Sequence, residues 1–234
     1  MKPQIASSRF SAAVQAQFAA FVADPSFPCL GAKAALNAGS YRLCTYDKLA
    51  SAETSAQLYR DLVAFTGADA VRTQPYASFI AIFGAPKSLG ERAFEELLWL
   101  QLQQLHALDE QSWDPLVSSD PASPRFSFSL GGHALYVVGL HSGSSRLARR
   151  FPWPALVFNP HEQFEKLRSN GKWKRMQETI RRRDIALQGA VNPMLDDFGE
   201  TSEARQYSGR AVEENWQPPL HSVASERSRC PFAH

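Results

Sequence analysis

The alternation of residues 125–130, the pair Gly131-Gly132 and the apolar stretch 134–140 restrict this chain more than any other feature in it. Strict period-two alternation reads as a strand with one buried face, and two glycines between such runs supply the positive φ that a tight hairpin needs. An antiparallel pair is therefore expected, which argues against a doubly wound parallel sheet. Phe79-Ile80-Ala81-Ile82-Phe83 adds a short apolar strand bounded by Pro75 and by Gly84-Ala85-Pro86. Residues 41–46 alternate weakly, and residues 155–158 supply one strand more.

Helical spacing fills the intervals. Phe10, Val14, Phe18, Phe21 and Val22 predict an amphipathic helix over residues 9–23, ended by Asp24-Pro25. Phe27-Pro28-Cys29-Leu30-Gly31 then reads as an irregular crossing. Leu58, Leu62 and Phe65 predict a helix over 53–65, and Ser88 is expected to cap a longer one that reaches about His106. Asn159-Pro160-His161-Glu162 satisfies three rules for a helix start: Asn as N-cap, Pro at the first helical position and Glu closing a capping box. Asn170-Gly171 ends or bends that helix, and Trp173, Met176 and Ile180 carry another to about Arg183. Beyond Ile185 the chain is rich in Gly, Asn, Pro and Asp and reads as an ordered wrap.

The expected fold is α+β: an antiparallel or mixed sheet of four to five strands, packed with helices from both ends of the chain. With 44% hydrophobic residues among 234 and no linker-like stretch, residues 1–234 read as a single domain, with a flexible tail from about 217. No stretch approaches a membrane span and Met1-Lys2-Pro3-Gln4 opens no apolar signal region, so a cytoplasmic address is expected. Cys29, Cys44 and Cys230 are too few and too oddly spaced for a disulfide framework or a zinc site. Residues 139–143 lack the spacing of a dinucleotide-binding loop.

The net charge of +2 conceals an asymmetry: residues 141–183 hold 11 Lys/Arg against 3 Asp/Glu, whereas residues 184–214 hold 2 against 7. Such blocks are read first as solvated faces that pair with each other, and second as an anion site inside the basic segment. A nucleic-acid surface is a third reading. It has little behind it, because the basic run shows neither a helix-turn-helix nor an aromatic platform.

Several side chains could carry chemistry. His161 lies in the first turn of its helix, where the dipole favours the neutral imidazole that ligates metals; Glu165, four residues on, shares its face. The plainer alternative is that His161 helps to cap the helix and Glu165 pairs with Arg168 or Arg150. His141 opens a loop rich in hydroxyls that runs into Arg146, Arg149 and Arg150, donors suited to carboxylate or phosphate oxygens, or else a solvated basic turn. Glu203, in the polar stretch 202–210, could accept both N–H bonds of a guanidinium or pair with Arg205 or Arg210. Cys29 could be a thiolate ligand or simply a buried small residue.

Three blocks together resemble the YqcI/YcgG family: Phe27-Pro28-Cys29-Leu30-Gly31-Ala32; Trp153-Pro154-Ala155-Leu156-Val157-Phe158-Asn159-Pro160-His161-Glu162-Gln163-Phe164-Glu165; and Glu203-Ala204-Arg205-Gln206-Tyr207-Ser208-Gly209-Arg210. The similarity spans residues 25–216. One departure is visible: the family commonly has Cys-Pro-Phe soon after the tryptophan that matches Trp216, whereas here a polar stretch intervenes before Cys230-Pro231-Phe232.

The resemblance implies a haem-dependent monooxygenase that uses dioxygen and an external reductant to hydroxylate a guanidine nitrogen of arginine or an arginine-derived small molecule. The alternative it leaves is a haem-binding or haem-sensing protein without turnover. On this resemblance the haem iron sits on His161 or His141, with His161 preferred because it stands on a rigid element. Arg146, Arg149 and Arg150 become propionate partners, and Cys29 belongs to the cofactor region. Phe151, Trp153, Phe158, Phe164 and Trp173 line the slot, and Glu203 or Glu165 anchors the guanidinium. The expected partners are a small guanidine-containing substrate and an electron donor, not nucleic acid or membrane; a homodimer is left open.

Overall fold

The computed structural model describes residues 4–68, 71, 73–169, 171–194 and 198–221, with backbone alone at 4–10, 169 and 172. Five strands form one mixed sheet: β1 (Tyr41–Lys48), β2 (Ser78–Ala85), β3 (Phe128–Leu130), β4 (His133–Leu140) and β5 (Ala155–Pro160), in the order β1-β2-β5-β4-β3. β1 and β2 are parallel and are joined through helix α3 (Ala52–Thr66); every other pairing is antiparallel. The other α-helices with bounds among the described residues are α1 (Gln4–Ala23), α2 (Leu30–Ala38), α4 (Glu91–Leu108), α5 (His161–Ser169), α6 (Lys172–Gln188) and the short α7 (Ala204–Tyr207). The expected α+β class is the one found.

Helices cover both faces of the sheet, which explains why the run in β2 does not alternate: no residue from Phe79 to Phe83 exceeds 2% exposure. On one face Phe79, Ala81, Phe83, Val137 and Phe158 pack with the apolar stripes of α3 and α4, among them Leu58, Leu62, Leu98 and Leu102. On the other, Ile80, Ile82, Leu140 and Ala155 meet Val14, Phe18 and Val22 of α1. Gly139 of β4 leaves room where three elements converge: a Cβ there would lie 2.6 Å from Phe94 and 2.9 Å from both Leu98 and the Tyr207 carbonyl.

Some boundaries differ from expectation for identifiable reasons. The crossing after Phe27 is short, because an alanine-rich helix, α2, starts at Leu30; the Cys29 Sγ caps it by accepting from the Ala32 N–H at 3.5 Å. Ser88 is not a cap; α4 begins at Glu91 behind Gly90, with no side-chain cap bond. The N-cap expected of Asn159 is absent, since β5 pairs with β4 through Asn159 and Pro160, and α5 starts only at His161. The Asn159 amide is spent across the sheet instead, accepting from Ser78 Oγ at 2.8 Å and donating to the Tyr136 carbonyl at 3.3 Å. The first hairpin strand shortens to three residues, and α6 runs past Arg183 to Gln188. Cys230 and most of the expected tail lie outside the described residues. The start of that tail is docked: Leu220 is buried in the core, and the His221 N–H donates to Gln103 at 2.8 Å. No helix among the described residues is long and apolar enough to cross a membrane.

Candidate functional site

Period-two geometry selects which strand residues can meet on the α1 side of the sheet. Tyr136, Val138 and Leu140 of β4, Val157 and Asn159 of β5, and Ser78 and Ile80 of β2 all face that way and floor a cavity of about 320 Å³. Phe18, Phe21 and Val22 of α1 close one side, Cys29, Ala32 and Leu36 another. α5 and α6 contribute His161, Phe164, Arg168, Trp173, Met176 and Ile180. The segment after α6 completes the wall with Phe198, Thr201, Glu203 and Gln206. Most of the lining is apolar, so the polar groups stand out.

His161 is 7% exposed, its ring meets Phe198 edge-on at 4.5 Å, and its Nε2 is buried with no hydrogen-bond partner. Burial holds the imidazole below its ordinary pKa, partly opposed by Glu165 and reinforced by Arg168, so the ring is neutral with an unused nitrogen. Such an atom is costly to bury unless something else claims it.

Glu203, also buried, is part of the same cavity wall and accepts from Ser127 Oγ at 2.7 Å and from the Tyr207 hydroxyl at 2.6 Å. Those bonds favour the carboxylate, yet desolvation outweighs them and its pKa is pushed up to about 8. The Tyr136 hydroxyl, raised to about 12 chiefly by burial, donates to Gln206 Oε1 at 2.7 Å.

Glu203 therefore imposes a pH dependence. A carboxyl with a folded pKa near 8 and an ordinary value of 4.5 contributes stability that is fully present below pH 4.5 and lost as pH rises towards 8. The slope from one such group is about 1.4 kcal/mol per pH unit. Glu203→Gln retains an oxygen that can accept both hydroxyl bonds and abolishes the titration. Urea denaturation at pH 5 and pH 8 should show wild type losing stability relative to the variant by a few kcal/mol. A difference that does not change with pH would show that Glu203 is ionised throughout.

Of the other expected site residues some line this cavity, His141 and Phe158 lie on the far side of the sheet, and the rest lie outside the cavity wall. His141 follows Leu140 and so points to the opposite face, where it stacks on Phe94 at 4.3 Å with Nδ1 3.3 Å from the Leu89 carbonyl. It is buried with Nε2 unpartnered but does not line the cavity. Phe158 faces away by the same alternation and belongs to the α3–α4 core. Phe151 packs under α1 against Phe18 and Phe21, and the Trp153 indole donates to Gln17 at 3.0 Å; neither lines the cavity, whereas Phe164 and Trp173 do. Glu165 is 53% exposed, pairs with Arg168 and lies outside the cavity wall.

Each of the three arginines has a partner within its own chain. Arg146 lines the cavity but is paired with Asp184 of α6. Arg149 also lines it, and its guanidinium sits in a nest of carbonyls: Gly139 at 3.1 Å, Tyr207 at 3.3 Å and Gln206 at 3.2 Å. It thereby closes the C-terminal end of α7, where cations are favoured. Arg150 donates to the Ser144 carbonyl at 2.8 Å and is not part of the wall. Cys29 lines the cavity with its thiol already engaged as the α2 cap.

Among the described residues no group of three or more His, Cys, Asp or Glu could hold a metal ion. A metal held by His161 would thus bring most of its donors with it, as iron in a porphyrin does. The orphaned Nε2 and the apolar walls fit haem; of the three arginines expected to meet its propionates, Arg146 and Arg149 line the cavity but are held by Asp184 and by carbonyls, and Arg150 stands outside the wall. Sequence reasoning overlooked Tyr136, which the alternation of β4 could have revealed, and Phe198, for which no local pattern exists; Arg168 entered it only as a partner for Glu165.

In comparisons with known proteins, the model of the YqcI/YcgG family matches residues 18–221. Neither the curated proteins nor the solved structures give a match.

Proposed function

The chain belongs to the YqcI/YcgG family, and from that premise we propose that it is a haem-dependent monooxygenase that hydroxylates a guanidine nitrogen of arginine or a related small molecule. The observation that carries this reading is the buried, neutral His161 with an unpartnered Nε2, set in an apolar cavity whose wall also holds Glu203. Haem, when bound, supplies the oxidation chemistry: one atom of dioxygen goes to the substrate nitrogen and the other to water, with two electrons and two protons drawn from an external reductant.

The protein's own residues do the rest. His161 holds the cofactor through Nε2. Glu203 receives the guanidinium and orients it, since a carboxylate accepts two parallel N–H bonds from one planar fork. Because burial keeps Glu203 largely protonated at neutral pH, guanidinium binding expels that proton. The Ser127 and Tyr207 hydroxyls then steady the carboxylate that forms. Phe18, Phe27 and Trp173 keep water from the reacting nitrogen.

The test is spectroscopic first and chemical second. Purified protein should show a haem absorption band, alone or after haemin is added, and that band should shift when arginine-like guanidines bind. Affinity for the guanidine should rise with pH up to about 8, roughly tenfold per unit below it. With dioxygen and a reductant, the product should be heavier than the substrate by one oxygen atom. A haem band with neither shift nor product would leave a haem-binding protein without turnover; no band with added haemin would end the proposal.

A further inference from the structure

The geometry points to Arg168 as the residue that recognises a carboxylate on the ligand filling this cavity. The inference rests on the reading above only in taking the cavity as a ligand site.

Arg168 lies seven residues after His161 on α5, two helical turns along the same face and about 10 Å along the axis. Its guanidinium lies 5.1 Å from the Trp173 ring centroid and 5.6 Å from that of Phe198, the ring that also meets His161. These aromatic neighbours are themselves part of the wall, as is Arg168. A planar, weakly hydrated cation held over two rings is suited to bidentate capture of a carboxylate.

What separates Arg168 from the other cavity arginines is the quality of its present partner. Arg146 is held by the buried Asp184, and Arg149 by three carbonyls. Arg168 pairs with Glu165, an i,i+3 neighbour whose side chain is 53% exposed, and exposed pairs of this kind hold each other weakly. An incoming carboxylate in the drier cavity can replace Glu165 at small cost, because Glu165 returns to water. The charge of Arg168 is felt at both His161 and Glu203, so it belongs electrostatically to the same site.

The carboxylate could be a porphyrin propionate or the α-carboxylate of the guanidine substrate, and probes separate the two. Binding of metal-free protoporphyrin IX and of its dimethyl ester should be followed by fluorescence in wild type, Arg168→Met, Arg168→Lys and Glu165→Gln. Metal-free porphyrin needs no iron ligand, so this arm is independent of His161. If a propionate is recognised, Arg168→Met weakens the diacid roughly tenfold and leaves the diester unchanged. Arg168→Lys falls between wild type and Arg168→Met, and Glu165→Gln binds the diacid as tightly as wild type or more so.

If the substrate carboxylate is recognised, porphyrin binding is the same in all four proteins. Arg168→Met then weakens arginine roughly tenfold without weakening agmatine, its decarboxylated analogue. A structural role as the partner of Glu165 predicts instead that Glu165→Gln behaves like Arg168→Met. That outcome, or an Arg168→Met protein that binds every probe as wild type does, overturns the inference. Equal binding of haemin and metal-free porphyrin, unaffected by His161→Ala, would remove the iron reading and leave Arg168 standing.

Discussion

His161→Ala is expected to fold as wild type does and to lose the haem band as purified, with affinity for haemin reduced by about 100-fold or more, some 2.7 kcal/mol. The fold should survive because the lost Nε2 has no hydrogen-bond partner to strand, and the ring's contact with Phe198 is edge-on in an apolar wall that can relax. Added imidazole can enter the space left by the ring and should restore much of the band, since it supplies the missing nitrogen without the chain. His141→Ala is the matched control. That ring lies on the other face of the sheet, stacked on Phe94, so its removal should lower stability and leave the haem spectrum as it was. A His161→Ala protein with an unaltered haem spectrum would reject His161 as the ligand, and loss of the spectrum in His141→Ala alone would move the ligand to the far side.

How legible this was in the sequence depended on whether the cause was local. Alternation in 134–140 and the apolar run 79–83 gave the sheet its central strands, because period two and two-sided burial are written residue by residue. The same rule, applied once more, separates Tyr136, Val138 and Leu140 from His141, and would have shown that His161 and His141 cannot serve one site.

The Asn159-Pro160 signal misled because two mechanisms compete for one asparagine. Pairing with β4 and the cross-sheet bonds to Ser78 and Tyr136 use the amide that a cap would need. Arg149 was legible as a cation and not as a buried one, for its partners are carbonyls 10, 57 and 58 residues away. Glu203 was found by its polar context, but its raised pKa comes from burial under residues far along the chain. Arg168 could be paired with Glu165 from spacing alone; that its other side faces the cavity is a tertiary fact.

The segment that carries Glu203 has to be held against the sheet, and the strongest restraint on it is ionic. Glu95 of α4 and Arg210 are each 8% exposed; Nε and Nη2 of Arg210 donate to Glu95 Oε2 at 2.9 and 2.7 Å, and Ser208 Oγ donates to Oε1 at 3.0 Å. Nη1 of Arg210 donates to the Ala211 carbonyl at 3.3 Å and to Glu213, which is half exposed and contributes less. Glu95→Ala should therefore cost about 3–5 kcal/mol in urea denaturation, because it strands a buried guanidinium, not because an ion pair is intrinsically strong.

The distinction is testable. Glu95→Leu combined with Arg210→Met removes both charges and should recover most of the loss, whereas a double variant as unstable as Glu95→Ala would mean that packing around α4 is the cause. Arg210 lies seven residues after Glu203, and the stretch between them is pinned through Tyr207, whose hydroxyl accepts from the Phe128 N–H at 3.0 Å. Loosening the Arg210 end should thus loosen the carboxylate as well. Folded Glu95→Ala protein should bind guanidines more weakly than wild type while the haem affinity that the proposed function assigns to His161 of α5 stays the same; equal loss of both would place the damage in the fold as a whole.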